Sequence, residues 1–161
     1  MNSGQQILTI FAIAILTILI INVYKSQSLK QEMIYSNEAI LTGTDLAQSL
    51  LNEIEAKAFD EKTVSQSVSI ADTLTSPDSL GAETGEYTTT QFDDIDDYNN
   101  YTRSDSLGKL GLFNLWVKVY YINKLSPDVE SSTQTFSKQI DILLTNFSVP
   151  DTIRFHQVIS Y

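Results

Sequence analysis

The stretch GQQILTIFAIAILTILIINVYKSQ, residues 4–27, decides how the rest of this chain is organised. From Ile7 to Val23 every residue is Ile, Leu, Phe, Ala or Val, except for two threonines and one asparagine. In a helix, about 1.5 Å per residue gives this run a length of roughly 25 Å, close to the roughly 30 Å of a bilayer core. Tyr24 and Lys25 follow as side chains suited to the membrane interface. We therefore predict a transmembrane helix over residues 5–25.

Two other interpretations of the apolar stretch are weaker. A buried core helix that is apolar all round needs a larger soluble domain around it than a chain of 161 residues provides. A cleaved secretory signal begins with a positively charged segment, whereas all Lys and Arg of this chain lie after residue 24. Such a signal also ends at a small-x-small cleavage site, whereas the apolar run here ends in Asn22–Lys25, which contains no such site. A single membrane anchor remains the interpretation that fits best.

Beyond the span, the helical pattern continues as an amphipathic helix over residues 26–59. Polar and charged residues fall mostly between apolar ones that recur at steps of three, four or seven. Gly43 lies between two threonines and is the weak point, because glycine and β-branched residues lower helix stability. The apolar residues of this stripe are Leu29, Met33, Ile40, Ala47, Leu50 or Leu51, Ile54 and Ala58.

The composition changes at Asp60 to Ser, Thr, Asp, Gly and Tyr. We predict an acidic loop region over residues 60–107, with a short strand at 64–70. Residues 108–161 then contain three stretches in which apolar and polar residues alternate with the period of a half-buried strand. Their connections are too short for helical crossovers, so the strands should form an antiparallel sheet.

The amphipathic helix is the only long apolar stripe that can cover one face of this sheet. The sequence therefore predicts an α+β protein. In it, a long N-terminal helix has a membrane-embedded first half and an amphipathic second half, and the second half packs on a C-terminal antiparallel sheet of three or more strands.

Composition excludes several classes of function. The chain has no Cys, which removes disulfides, Cys-ligated zinc and thiol nucleophiles, and its net charge of -10 disfavours nucleic acid as a partner. His156, the only histidine, falls on the outward face of the last predicted strand. No Ser-His-Asp grouping, phosphate-binding glycine loop or zinc pattern is present, so we predict a protein that is not an enzyme.

The leader MNSG, residues 1–4, is followed at once by the apolar run QQILTIFAIAILTILI, and then come the amphipathic helix, the loop region and the terminal sheet. This order of elements resembles the type IV pilin family, which includes the pseudopilins of type II secretion. The segment FDDIDDYNNY, residues 92–101, is also similar to a DDxDDY-type stretch of some minor pilin-like proteins. The resemblance covers nearly the whole chain.

In that family a membrane-embedded prepilin peptidase cleaves after the glycine, which implies processing between Gly4 and Gln5. A family carboxylate falls on Thr9, and its absence here favours a minor or accessory subunit. The resemblance implies a structural subunit of a type IV pilus-like filament or a type II secretion-like pseudopilus. Small residues such as Ala12 and Ala14, beside Thr9, would allow close packing between helices.

The resemblance also implies the protein's location and partners. The subunit would sit in the bacterial inner membrane as a single-pass protein with its C-terminal domain outside the cytoplasm. Like pilin subunits, the prepilin peptidase and the inner-membrane assembly machinery would be its partners. Two lysines that follow the span would by the positive-inside rule leave the domain in the cytoplasm, whereas the leader pattern and the Ser/Thr/Asp/Asn-rich loops favour export.

The densest charge in the chain is the acidic run Asp93, Asp94, Asp96 and Asp97. One interpretation is a solvated acidic loop. The other is a calcium site, because calcium takes six to eight oxygen ligands from carboxylates and carbonyls. A calcium site supports an alternative function, that of a membrane-anchored binding module that never polymerises and is calcium-dependent.

Overall fold

The structure is a computed structural model that describes residues 2–161, apart from the side chain of Asp128. Two helices come first, α1 over Ser3–Glu55 and α2 over Glu61–Val64. Five strands follow: β1 (Thr102–Ser106), β2 (Leu112–Asn123), β3 (Ser126–Glu130), β4 (Ser137–Asn146) and β5 (Ile153–Ser160). The α+β prediction of a long N-terminal helix packed on a C-terminal antiparallel sheet is confirmed.

The chain divides into two compact units, Met1–Glu38 and Ala39–Tyr161. The first unit is helical from Ser3 and is long and apolar enough to cross a membrane, and none of its most apolar 18-residue window is buried in the protein. The hydroxyls of Thr9 and Thr17 each donate to the carbonyl oxygen four residues earlier, over 2.8 Å. Both polar groups are thus satisfied inside the helix, as a lipid environment requires.

The second unit, which we call the head, begins with the last four to five turns of α1. Its buried helical residues recur at steps of three and four and pack on the sheet. A Cβ at Gly43 would lie 2.9 Å from Leu144 Cδ2, so this glycine permits close approach of helix and sheet instead of interrupting the helix. Leu29, Met33 and Ile40 were expected in the packing stripe, but all three are exposed, and the first two belong to the first unit. The buried residues are Ala39, Gly43, Ala47, Leu50, Leu51 and Ile54.

The helix also ends four residues earlier than the predicted boundary at residue 59. Beyond Glu55 the backbone turns, and Ala58 forms an isolated parallel bridge with Asp94. In that bridge the Ala58 N–H donates to the carbonyl of Asp93 at 3.1 Å, and Ile95 N–H donates to the carbonyl of Ala58 at 2.9 Å. Long-range backbone pairing therefore replaces the last helical turn.

The sheet has the strand order β1-β2-β4-β5, with β3 paired to β2, and all pairings are antiparallel. The three predicted strands correspond to β2, β4 and β5. Strand β1 lies inside the segment predicted as loop, so the boundary at residue 107 is corrected. Alternate residues of β2 and β4 form the inner face: Phe113, Leu115, Val117, Val119, Tyr121, Ile140, Ile142 and Leu144.

The loop region between helix and sheet is more ordered than its composition suggests. Within the described part of the chain no strand forms at residues 64–70; the helix α2 ends at Val64 instead, and Asp60 caps its start with a capping box. Three 3-10 turns follow, the last of them over Asp96–Tyr98. Leu74, Phe92, Ile95 and Tyr98 are buried, which fastens this region to the core.

Candidate functional site

The acidic run 93–97 is the candidate site, and most of it is buried. Asp94 and Asp96 are 0 % exposed and Asp97 is 2 % exposed, whereas Asp93 is exposed. The bridge to Ala58 and the packing of Ile95 and Tyr98 hold the run inside the head. The interpretation as a solvated acidic loop is therefore wrong for three of the four carboxylates.

Asp94 and Asp97 each use one carboxylate oxygen to hold the turn. Asp97 Oδ2 accepts from the backbone N–H groups of Asp93 (2.9 Å) and Asp94 (3.1 Å). Asp94 Oδ1 accepts in turn from the N–H groups of Asp96 (2.6 Å) and Asp97 (3.2 Å). These hydrogen bonds fix the orientation of both side chains within the turn.

Lys138 on β4 lies at the centre of the acidic residues. Its Nζ donates to Asp96 Oδ1 at 2.5 Å, to Asp60 Oδ2 at 2.9 Å and to the carbonyl oxygen of Phe59 at 2.8 Å. All three charged side chains are at most 1 % exposed. The ammonium also lies 4.5 Å and 4.9 Å from the ring centroids of Phe59 and Tyr121. One buried cation thus neutralises part of a buried acidic cluster.

Asp60 is the most fully paired of these carboxylates. It accepts the hydroxyl proton of Tyr121 at 2.8 Å and hydrogen bonds from the backbone and the hydroxyl of Thr75. Burial opposes ionisation of Asp60, but the charge and hydrogen bonds of Lys138 outweigh it and lower its pKa. For Asp96 burial dominates over the attraction of Lys138 and raises its pKa to about 7. Asp60 is therefore the ionic partner of Lys138, and Asp96 is the less fully compensated acid.

Several carboxylate oxygens in the head are buried and have no hydrogen-bond partner among residues 2–161. Burial raises the pKa of Glu83 to about 8, with further contributions from Glu86 and Asp97. Burial also raises the pKa of Asp94 to about 8, with repulsion from Asp96 and Asp97 next. Such groups mark sites that lack a compensating charge. The unpartnered oxygens around the acidic run are Glu83 Oε2, Asp94 Oδ2, Asp96 Oδ2 and Asp97 Oδ1.

The four predicted calcium ligands do not converge on one point. Asp97 groups with Glu83 and Glu86, and the ligand oxygens of these three lie within 4.8 Å of one another. Asp93 and Asp94 group with Glu61 in a second such set, while Asp96 is bound to Lys138. The sequence analysis missed Glu61, Glu83, Glu86 and Asp60, which come from other segments of the chain, as well as Lys138 on β4.

The other predicted site residues lie in the first unit. Gly4 and Gln5 are exposed and occupy the first turns of α1, where the Gln5 N–H donates to the carbonyl of Asn2 at 2.9 Å. Thr9, Ala12 and Ala14 are exposed along the apolar helix. His156 is exposed on β5, as predicted.

We compared the chain with protein-family models, with curated proteins and with solved structures, and none of them matches.

Proposed function

We propose that this protein is a structural subunit of a filament of the type IV pilus or pseudopilus kind, anchored by its N-terminal helix. The observation that carries the proposal is an apolar surface on α1 that continues past the end of the membrane span. Leu29, Met33 and Ile34 are 61 %, 65 % and 62 % exposed. Ile34 lies nine residues beyond Lys25, which is about 14 Å along a helix. Exposed apolar surface of this kind marks an interaction site, and a bundle of like helices would bury it.

Helix exchange between lipid and filament supplies the mechanism. Lipid tails and a helix bundle are about equally apolar, so transfer of the span from one to the other costs little free energy. Close packing at Ala12 and Ala14 favours the bundle, because small side chains let helix backbones approach each other. The hydroxyl of Thr9 donates to the carbonyl oxygen of Gln5 in its own helix, so it needs no hydrogen-bond partner in lipid or in a helix bundle.

The leader cleavage is tested on the protein in membranes of its source cells. We expect the N-terminal peptide to begin at Gln5, and we expect Gly4→Leu to abolish this peptide while Ser3→Ala leaves it unchanged. The readout is the mass of the N-terminal peptide. A wild-type peptide that retains Asn2 to Gly4 would instead support the alternative, a membrane-anchored binding module that does not polymerise.

The helix contacts are tested by cysteine cross-linking, which the Cys-free sequence makes unambiguous. A single Ile34→Cys variant, treated with a thiol cross-linker in membranes, should give covalent dimers of this chain. The matched control is Lys62→Cys, an exposed position on α2 of the head. Dimers at equal yield from both variants, or from neither, would contradict a helix-mediated assembly.

A further inference from the structure

We propose that Glu83, Glu86 and Asp97 bind one calcium ion that joins the loop 81–87 to the acidic run of the head. The ligand oxygens of the three carboxylates lie within 4.8 Å of one another. Calcium–oxygen distances of about 2.3–2.6 Å place oxygens on opposite sides of an ion at about 4.6–5.2 Å, so the spacing fits an ion between them. This set differs from the four aspartates that the sequence singled out, since only Asp97 is common to both.

Two buried oxygens point to a missing ligand at this place. Asp97 is 2 % exposed, and its Oδ1 has no hydrogen-bond partner among the described residues. Glu83 Oε2 is likewise buried without a partner. Asp97 cannot turn to satisfy its free oxygen, because its other oxygen already accepts two backbone N–H groups. A buried acceptor held in place without a donor costs free energy that a bound cation recovers.

No side-chain cation of the described residues supplies this charge. The ion pairs of the described residues join Arg103 to Asp105, Lys118 to Glu130, and Lys138 to Asp60 and Asp96. The three N–H donors of the Lys138 ammonium are already bonded to Asp60, Asp96 and the Phe59 carbonyl. Three carboxylates from two segments of chain therefore face each other without a positive partner.

The ligand set selects a hard cation of calcium size. All three side chains offer oxygen alone, with neither His nor Cys in the group. Magnesium requires near-octahedral ligands at about 2.0–2.1 Å, keeps several of its waters and is usually bound through one or two carboxylates, so a group of three carboxylates suits calcium better.

Calcium bound here would stabilise the head. Glu83 and Glu86 belong to a turn in which the Glu86 N–H donates to the Glu83 carbonyl at 3.1 Å. Asp97 belongs to the 3-10 turn Asp96–Tyr98, whose tyrosine is fully buried. The ion would thus tie this turn to the core, independently of whether the protein forms filaments.

The test uses the purified full-length chain in detergent, stripped with a chelator and then titrated with calcium chloride. Unfolding of the head is followed by Trp116 fluorescence. We expect Tm to rise by about 10 °C at about a hundredfold excess of calcium over Kd, and the double variant Glu83→Gln/Glu86→Gln to lose this rise. The matched control is Asp78→Asn, an exposed acid of the same region, which should respond like the wild type.

Binding is measured separately by terbium luminescence, in which a nearby tyrosine sensitises a lanthanide that replaces calcium. Terbium should give a signal with the wild type and with Asp78→Asn that calcium displaces, and none with Glu83→Gln/Glu86→Gln. A wild-type Tm that millimolar calcium leaves unchanged would overturn the proposal. So would a double variant that binds terbium as the wild type does, and so would a larger effect of magnesium than of calcium.

Discussion

Replacement of Lys138 by methionine tests how the head tolerates its buried acids. Lys138→Met keeps the length and most of the volume of the side chain, so packing changes little. It removes the ammonium that donates to Asp60, to Asp96 and to the Phe59 carbonyl. Both carboxylates are then left in a protein interior without their cation.

Removal of one partner from a buried ion pair costs about 3–5 kcal/mol, because the remaining charge stays desolvated. The triad here is at most 1 % exposed, so the full value applies to the free energy of unfolding of the head. With a urea m-value of about 2 kcal/mol/M, the midpoint of unfolding should fall by about 2 M. Asp96→Asn should cost less, because the pair between Lys138 and Asp60 remains.

The assay is urea unfolding of the detergent-solubilised chain, followed by the fluorescence of Trp116, the single tryptophan, which lies in β2 of the head. The matched control is Lys118→Met, which replaces a partly exposed lysine on β2. Its ion pair with Glu130 is 38 % and 55 % exposed, and such surface pairs contribute about 0.2–1 kcal/mol. If Lys138→Met lowered the midpoint no further than Lys118→Met, the reasoning about the buried triad would be refuted.

Three further variants test other parts of the structure. Gly111→Ala should destabilise the head by about 1–2 kcal/mol in the same urea assay, because Gly111 has a φ of 74° and a Cβ there would lie 2.5 Å from the Phe147 ring. Tyr121→Phe should cost about 1.5–3 kcal/mol by calorimetry, since it deletes a buried hydroxyl bonded to the carboxylate of Asp60; an unchanged Tm would contradict this. Ile13→Asp, in the middle of the span, should move the protein from the carbonate-resistant membrane fraction towards the soluble fraction, because a central aspartate adds about 2.5–3.5 kcal/mol to insertion.

The fold was largely predictable because its core elements bury one face each. Strands β2 and β4 alternate apolar and polar residues, and the inward residues of β2 are all buried. Strand β1, with the sequence TRSDS, has no apolar alternation and lies at the sheet edge, so its pairing with β2 depends on backbone hydrogen bonds that periodicity does not reveal. Periodicity also does not reveal the early end of α1, because Ala58 pairs through its backbone with a segment more than thirty residues away.

The candidate site was less predictable, because its partners are distant along the chain. The sequence marks the acidic run as a cluster, but the burial of Asp96 depends on Lys138, which lies 42 residues further on. One residue of this site, Lys138, could have been recognised from the sequence. Lys138 shares the inward face of β4 with Ile140 and Ile142, and a lysine at an inward position of a strand calls for a buried carboxylate. Glu83 and Glu86 gave no such signal, since isolated acids in a Ser/Thr-rich loop are normally solvated.

The buried ion cluster raises the question of why the head retains charged side chains in its core. A well-packed apolar core of the same volume is often as stable as a buried ion triad, so stability alone does not account for the cluster. Lys138 balances Asp60 and part of Asp96, whereas Asp97 is held in place by the backbone N–H groups of Asp93 and Asp94 and lies close to Glu83 and Glu86. The first arrangement fixes the acidic run against the sheet, and the second leaves an oriented carboxylate free at the edge of the core. A fixed frame that presents an unpaired oxygen is the arrangement that a cation site requires, because the ligands then need no reorganisation when the ion binds.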